Sequence, residues 1–469
     1  MYHSRLVGGL AALAVLLILV AVPAAGALPL PVVWSDAYVT SANDGFDAMA
    51  TGPAGVVYAA GFTGATAAGA DGQLLLAKYV DTGAAASRDW VQTFALAGAD
   101  GASASKVAVD PAGNVIVAGT VGVASLTAKG RNIVVLKYSP AGVLEWKTVY
   151  DGPRHMDDYV NGLALDAHGN AYVVGASVGV HSGRDYVTIK VRASGSRAWV
   201  RRYAGPDVFD EARGVAVDPT GNVYVTGWSN DRSRVRHART ISYSPAGARR
   251  WIVTVNKRRS WSGAADVMVS RAPSVRGVII SGYQGDRTSG NEDLMFVKYE
   301  ASNGRVIWKR TLANGATAEP HAAATDGSGA PIAAGMSNAM GGIQGYIAGL
   351  SASGGDAWHS VFWSEAGDPD NPGRAEFDSI AVSPGGSLLA GGWSQTAQSE
   401  WGPDNPMPTA FVVRYSPTWP ATAPLDYVGP GSATSHGKCT AVAIGASGMY
   451  AVGQETGSAG DLDAVLIKF

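Results

Sequence analysis

A glycine recurs eight times along the chain, at Gly61, Gly119, Gly175, Gly227, Gly282, Gly335, Gly392 and Gly453, and each closes the same short grammar. The clearest copies are VAVDPAGNVIVAGT, LALDAHGNAYVVGAS and VAVDPTGNVYVTGWS. Weaker copies are ATGPAGVVYAAGFT, ATDGSGAPIAAGMS, AVSPGGSLLAGGWS, AIGASGMYAVGQE and VSRAPSVRGVIISGYQ. The spacing is 52 to 61 residues. A period of that length restricts the chain to a propeller, a solenoid or an array of like units.

Each copy reads as four short strands. Strand a is apolar and runs into DPxGN, where Pro presets φ and Gly takes the left-handed conformation that closes a hairpin. Strand b follows, as in VYVTG. A loop of variable length leads to strand c, as in IVVLKY or LMFVKY, and a second short turn (SPAG, ASNG) leads to strand d. Strand d carries Trp90, Trp146, Trp199, Trp251, Trp308 and Trp358. Strands b and c are nearly continuous apolar runs, the pattern of strands covered on both faces. Small antiparallel sheets stacked radially supply that cover, so the fold expected is an all-β, eight-bladed β-propeller, with seven blades as the alternative.

The last copy stops at AVLIKF, without a strand d, while VVWSDAYV near the N-terminus carries Trp34 and Tyr38 in the strand-d spacing and precedes any strand a. The N-terminal segment is therefore expected to complete the last blade, because an open ring would expose a sheet edge. The strand d of the seventh copy is less clear and is placed near Trp419 and Tyr427.

The run KYSPAGVLEWKTVYDGP…DDYVNGLALDAHGNAYVVGAS resembles bacterial β-propeller repeats of the SBBP type. It shares the D-P-x-G-N-x-Y-V-x-G core, the K-Y before a glycine turn and the W-x-x-x-Y. The resemblance is clearest over 103–245 and extends over most of the chain. It implies an exported or surface protein and seven blades, one fewer than the copies counted here, and it supplies no catalytic residues. AGVLEW, AGARRW and NGRVIW are similar to the G-x-x-x-W of quinoprotein propellers. Such dehydrogenases use a vicinal disulfide near the quinone, and this chain has one cysteine, so no quinone cofactor is expected.

Residues 1–27 have the form of a secretory signal peptide: Arg5, an apolar run from Leu6 to Val22, and the small residues Ala25, Gly26 and Ala27. Retention as a membrane anchor is the alternative, since the run is nearly long enough to span. Cleavage would leave 28–469 as one secreted or cell-surface domain with no membrane span, expected to be a monomer. Cys439 lies in the apolar stretch CTAVAI and reads as a core residue. Net charge is −2, which gives no global pull toward nucleic acid.

The a–b and c–d turns are short and repeated, and the b–c and d–a connections are long and different in every copy. Function concentrates on variable loops held by a rigid scaffold, so the b–c/d–a face is the expected binding face. Blade 4 offers a basic patch there: Arg232, Arg234, Arg236, His237 and Arg239 in one connection, Lys257, Arg258 and Arg259 in the next. Asp368, Asp370, Asn371, Asp404 and Asn405 supply oxygen ligands that could hold Ca²⁺, and they are also ordinary turn formers. Asp44, Asp157, Asp158 and Asp210 precede strand a and either line the channel mouth or cap strands. Lys78, Lys137, Lys190, Lys298, Arg414 and Lys468 end strand c, but only the second and third blades also carry the turn Asp (Asp110, Asp166), so a repeated ion pair does not explain them.

No G-x-S-x-G elbow, H-E-x-x-H or phosphate loop is present. The expectation is a non-catalytic propeller that binds an extracellular protein or polysaccharide. The alternatives are an exported enzyme, hydrolytic or quinone-dependent, with its site over the channel, and a structural surface module. Propellers host all three.

Overall fold

The computed structural model describes residues 28–29, 32–65, 72–124, 129–255, 260–270, 277–286, 290–312, 317–338, 343–355, 358–362, 374–395, 409–415, 426–428, 437–456 and 461–469. They form eight antiparallel sheets, each ordered a-b-c-d in space as in sequence. Blade 1 spans residues 43–94, blade 2 102–150, blade 3 158–203, blade 4 210–254, blade 5 260–312, blade 6 318–362 and blade 7 374–428. Blade 8 takes strands a to c from 437–468 and its strand d from Trp34–Tyr38, paired antiparallel with the last strand from Trp34↔Lys468 to Tyr38↔Ala464. Strand a of each blade packs against strand a of the next, and that of blade 8 against that of blade 1. The ring is closed with eight blades, not the seven that the family resemblance implied.

Apolar side chains of strands b and c explain why the blades stack. Adjacent residues point to opposite faces, so each strand feeds two cores. In blade 1, Leu74 and Leu76 pack toward blade 2, while Leu75 and Ala77 pack toward blade 8. The same division holds around the ring, giving a separate buried cluster at each of the eight seams. Cys439 sits in the seam of blades 7 and 8, and burial pushes its thiol up to about 12. The core reading of that residue holds.

Two glycine positions of the repeat have packing causes. In every blade strand a carries a bulge, where one extra residue interrupts the register with strand b. The carbonyl just before the bulge residue's neighbour presses on the eight recurrent glycines: Tyr159 O on Gly175, Glu211 O on Gly227, Glu376 O on Gly392, and so on around the ring. A methyl group there would overlap that oxygen. The second position is the c–d turn. Gly142, Gly195, Gly247, Gly304 and Gly354 have φ of +77° to +88°, and each lies against the strand-d Trp of the preceding blade. The indole N–H then donates to the same turn: Trp90 to Pro140 O, Trp146 to Ala193 O, Trp199 to Pro245 O and Trp251 to Ala301 O, at 2.9–3.1 Å.

Three of the strand-c lysines belong to this joint as well. Lys78 donates to Pro140 O (2.9 Å), Lys190 to Pro245 O (3.3 Å) and Lys468 to Gly83 O (2.9 Å), each in the c–d turn of the next blade. The turn aspartates cap their own turns, and in blades 2 and 3 the strand-c lysine also stands beside them, Lys137 3.6 Å from Asp110 and Lys190 4.0 Å from Asp166. Asp110 accepts from the backbone N–H of Ala112 and Asn114 (both 2.9 Å), and Asp166, Asp218 and Asp326 do the same. The outer strand of blade 7 is the short Asp426–Val428, at Tyr427 as the sequence placed it, and Leu28–Pro29 adds to it in parallel as a fifth strand. Trp419 lies outside the described residues.

At the closing seam, Asp81 of blade 1 replaces the Trp-on-glycine joint. Its side chain is fully buried and accepts from Tyr450 OH (2.6 Å), Lys468 Nζ (2.7 Å), Gly83 N (2.8 Å) and Trp34 Nε1 (3.4 Å). Burial opposes its ionisation, but the bonds from Lys468, Tyr450 and Gly83 outweigh that and hold the carboxyl below the usual range. Asp81→Ala leaves Lys468 without its buried partner and is expected to lower the unfolding free energy by about 3–5 kcal/mol, read from denaturant titration at pH 7. The contribution of Asp81 is complete above the ordinary aspartate pKa and is lost as pH falls through its lowered folded value. The difference between wild type and variant should therefore shrink only at strongly acid pH.

A second expectation concerns the bulges. Gly175→Ala is expected to destabilise by about 2–3 kcal/mol, because Tyr159 O must move and strand a with it. A stability unchanged within about 0.5 kcal/mol would show that the bulge is not held by this contact.

Candidate functional site

The bulges place eight residues along the central channel: Asp47, Ser105, Asn161, Arg213, Ala265, His321, Asp378 and Thr440. An inner strand without bulges would show the axis a uniform row, whereas a bulge re-aims one side chain per blade. The channel is thus polar. Asp47 and Asp266 are both pushed up to about 6 by burial. His321 lies 3.0 Å from Glu376 and 3.8 Å from Asp378 through Nδ1. Burial works against its cation, but hydrogen bonds to Asp378 and Glu376 raise the imidazole to about 10.

On the b–c/d–a face the channel widens into a cavity of about 410 Å³, to which blades 2 to 6 contribute. Blade 4 supplies Arg213, Trp228 and Arg236, blade 3 Asn161, blade 5 Tyr283, and blade 6 Glu319 and His321. Arg236 lies over the Trp228 ring at 4.2 Å and donates to Tyr283 OH at 2.6 Å. Trp228 is nine-tenths buried, and its indole N–H has no hydrogen-bond acceptor among the described residues. Next to it is a hollow of about 300 Å³ lined by Arg131, Tyr159, Arg184 and Glu211. Glu211 orders this side: it pairs with Arg213 Nε at 2.9 Å and Arg184 at 3.7 Å, and accepts from Asn161 Nδ2 at 3.1 Å. Arg184 also covers the Tyr159 ring at 5.1 Å.

Across the mouth, Glu292 and Glu319 of blades 5 and 6 share a hydrogen bond, and Trp261 Nε1 donates to Glu292. Burial, and then the bond to Glu319, push Glu292 up to about 7. Carboxylates from different blades do meet here.

The structure divides the sequence-derived basic patch. Asp231 caps the blade 4 b–c turn, accepting from Ser233 N (2.8 Å) and Val235 N (3.0 Å), with Arg234 at φ 59°. Arg232 and Arg234 are exposed at the tip of this turn. Arg236 turns to the channel mouth, His237 is buried 3.2 Å from Asp231, and Arg239 covers the Tyr203 ring at 5.0 Å. Lys257, Arg258 and Arg259 lie outside the described residues, as do Asp368, Asp370, Asn371, Asp404 and Asn405. Of the aspartates before strand a, Asp44, Asp158 and Asp210 are fully buried and act as caps. Asp158 accepts from Gly152 N at 2.7 Å, Asp210 from Gly205 N, and Asp44 from Thr40 N at 2.7 Å and Gly64 N at 3.0 Å. Asp157 binds Arg131 N and Tyr159 OH at 3.0 and 2.9 Å.

The sequence reading missed the bulge residues. Their signal was present: in six blades the bulge residue stands 14 positions before the recurrent glycine, as Asn161 does before Gly175.

A family model described as SBBP, Beta-propeller repeat, matches residues 198–232. No curated protein matches the sequence. Solved structures similar to this chain include a protein of unknown function from Dyadobacter fermentans DSM 18053, with 10% identity over 64% of this chain and 90% of that one and a TM-score of 0.39. The polysaccharide lyase Uly1 is 11% identical over 77% and 89%, at a TM-score of 0.42. The Penicillium chrysogenum alpha-L-arabinanase complexed with arabinobiose is 10% identical over 77% and 91%, at 0.38. The fold rests on the eight blades themselves, not on these likenesses. Among the described residues no helix is long and apolar enough to cross a membrane.

The pH response of the mouth follows from Glu292. The folded chain keeps a proton there that the unfolded chain releases near the ordinary glutamate pKa. That contribution to stability is present at pH 4 and is lost as pH rises through about 7. Glu292→Gln removes the effect, so its melting temperature should fall less than that of wild type between pH 5 and pH 8. Parallel melting curves for the two proteins would contradict the raised Glu292 carboxyl.

Proposed function

We propose that this SBBP-repeat β-propeller is an exported, non-catalytic binding protein that takes a glycan chain at the mouth of its channel. The observation that carries the reading is the 410 Å³ cavity on the variable-loop face, in which side chains from five consecutive blades converge. Cavities of about 300–1,000 Å³ suit small ligands or a few units of a chain better than the flat surface of a folded protein. Arginines gather on one side of the mouth, at Arg131, Arg184, Arg213 and Arg236, and their planar forks suit carboxylate or sulfate groups. An acidic polysaccharide is therefore the favoured ligand class. Trp228 brings a buried N–H donor that a sugar oxygen would satisfy.

Export rests on the leader-like residues 1–27, and the functional unit is then 28–469, acting as a monomer. The reading is non-catalytic because the chain carries no G-x-S-x-G elbow, H-E-x-x-H or phosphate loop.

The test is calorimetric titration of the chain with neutral, uronate-bearing and sulfated oligosaccharides. Binding of an acidic chain is expected to weaken about tenfold or more in the Arg184→Ala/Arg236→Ala double variant, the loss of two charge-assisted contacts. The melting temperature of the double variant is expected to stay close to that of wild type. Equal binding by the double variant would remove the mouth as the site, and capture of a protein with no response to any glycan would favour a protein partner.

A further inference from the structure

The seam between blades 6 and 7 differs from its neighbours in what it presents to the channel. At the seam of blades 3 and 4, bulge residue Asn161 faces Glu211 and Arg213 of the next strand a, and Arg213 neutralises Glu211. The equivalent positions at the blade 6–7 seam are His321, Glu376 and Asp378. A carboxylate stands where the arginine stood, and an imidazole where the amide stood. The result is three metal-binding side chains whose ligand atoms lie within 4.8 Å of one another.

We propose that His321, Glu376 and Asp378 form a binding site for one divalent transition-metal ion, Zn²⁺ or a close relative, in the wall of the central channel. Ligands held about 2.0–2.2 Å from a common zinc ion lie about 3–3.6 Å apart. Nδ1 of His321 is already 3.0 Å from Glu376 Oε1 and 3.8 Å from Asp378 Oδ1, so a small rotation of Asp378 completes the set. The donor types select the class. One imidazole with two carboxylates suits Zn²⁺, Mn²⁺, Fe²⁺ or Co²⁺, whereas Ca²⁺ and Mg²⁺ favour oxygen alone. His321 and Asp378 also line the channel cavity, which gives an ion a route in and water room to fill its remaining positions. Two strands of rigid, bulge-fixed backbone carry all three ligands, so little ordering is required on binding.

The site shares His321 with the lining of the mouth cavity, but its two carboxylates belong to blade 7 and the arginines of the mouth to blades 2 to 4, so loss of the arginines tests glycan binding alone and loss of Asp378 tests metal binding alone. The metal-stripped full chain is dialysed against Zn²⁺, Co²⁺, Mn²⁺, Ca²⁺ and Mg²⁺, and bound metal is counted per chain alongside the melting temperature. One equivalent of Zn²⁺ or Co²⁺ is expected, with a raised melting temperature. Asp378→Asn and His321→Gln should each weaken it beyond the about 10–100-fold that loss of a mere outer-shell partner causes. His168→Ala removes an exposed histidine of the blade 3 a–b turn and should leave binding unchanged. Binding that survives both ligand variants overturns the proposal, as does no cation binding below about 1 mM, which would leave a structural ion triad only. If the variants fail to fold, X-ray absorption of the Co²⁺-loaded wild type decides. One imidazole among oxygen ligands supports the site, and a shell with several imidazoles or with sulfur overturns it.

Discussion

Each blade turns on one close approach: a strand-a carbonyl pressed onto a strand-b glycine. The approach admits the bulge, and the bulge has two effects. It increases the local twist of the inner strand, and it sends one extra side chain into the channel. Eight repetitions convert a structural glycine into eight channel-lining positions. The backbone contact is the same everywhere, so the side chain at the bulge is free to differ. It runs from Ala265 to Arg213 to Asp378 without altering the fold. Scaffold and chemistry are thus separated within one strand.

Between blades the structure depends on two-sided burial and on the tryptophan joints. A strand such as Gln73–Asp81 cannot satisfy both faces within its own sheet, so a blade alone would leave half its apolar side chains wet. Stacking alone would tolerate slippage between sheets. The indole N–H and the strand-c lysine, both aimed at carbonyls of the next c–d turn, set the register of one blade on another. Where the ring closes, the sequence of blade 1 offers no packed glycine. Asp81 then gathers Trp34, Tyr450 and Lys468, three strands of blade 8, onto blade 1. Among the described residues the joint therefore combines tryptophan-on-glycine packing at five seams with a buried ionic contact at the closing one.

The candidate sites inherit this geometry. Strand-b ends and strand-a starts from five blades reach the mouth, which is why Trp228, Tyr283, Arg236 and Glu319 meet although 91 residues separate the first from the last. The basic run of blade 4 looked like one patch because its charges are adjacent in sequence. In the strand Arg236–Tyr243, successive side chains alternate faces, so Arg236 goes to the mouth and His237 into the protein. The deeper cluster of His321, Glu376 and Asp378 joins two blades: the spacing to Gly335 and Gly392 marks His321 and Asp378 as bulge positions, but nothing in the sequence says that they meet.

What the sequence alone determined is the architecture: the period, the four-strand grammar, the count of eight and the use of VVWSDAYV to complete the final blade. These follow from local patterns, namely turn chemistry, two-sided apolar runs and a recurrent tryptophan, and local patterns survive in one dimension. Only the tertiary structure decided why the recurrent glycines are glycines and what the lysines at the ends of strand c bind. It also separated the aspartates that cap strands from the acids that face the channel. The glycine and lysine answers are contacts between neighbouring strands or blades, 15 to more than 50 residues apart in the chain. Radial closure sets such distances, and composition or spacing does not.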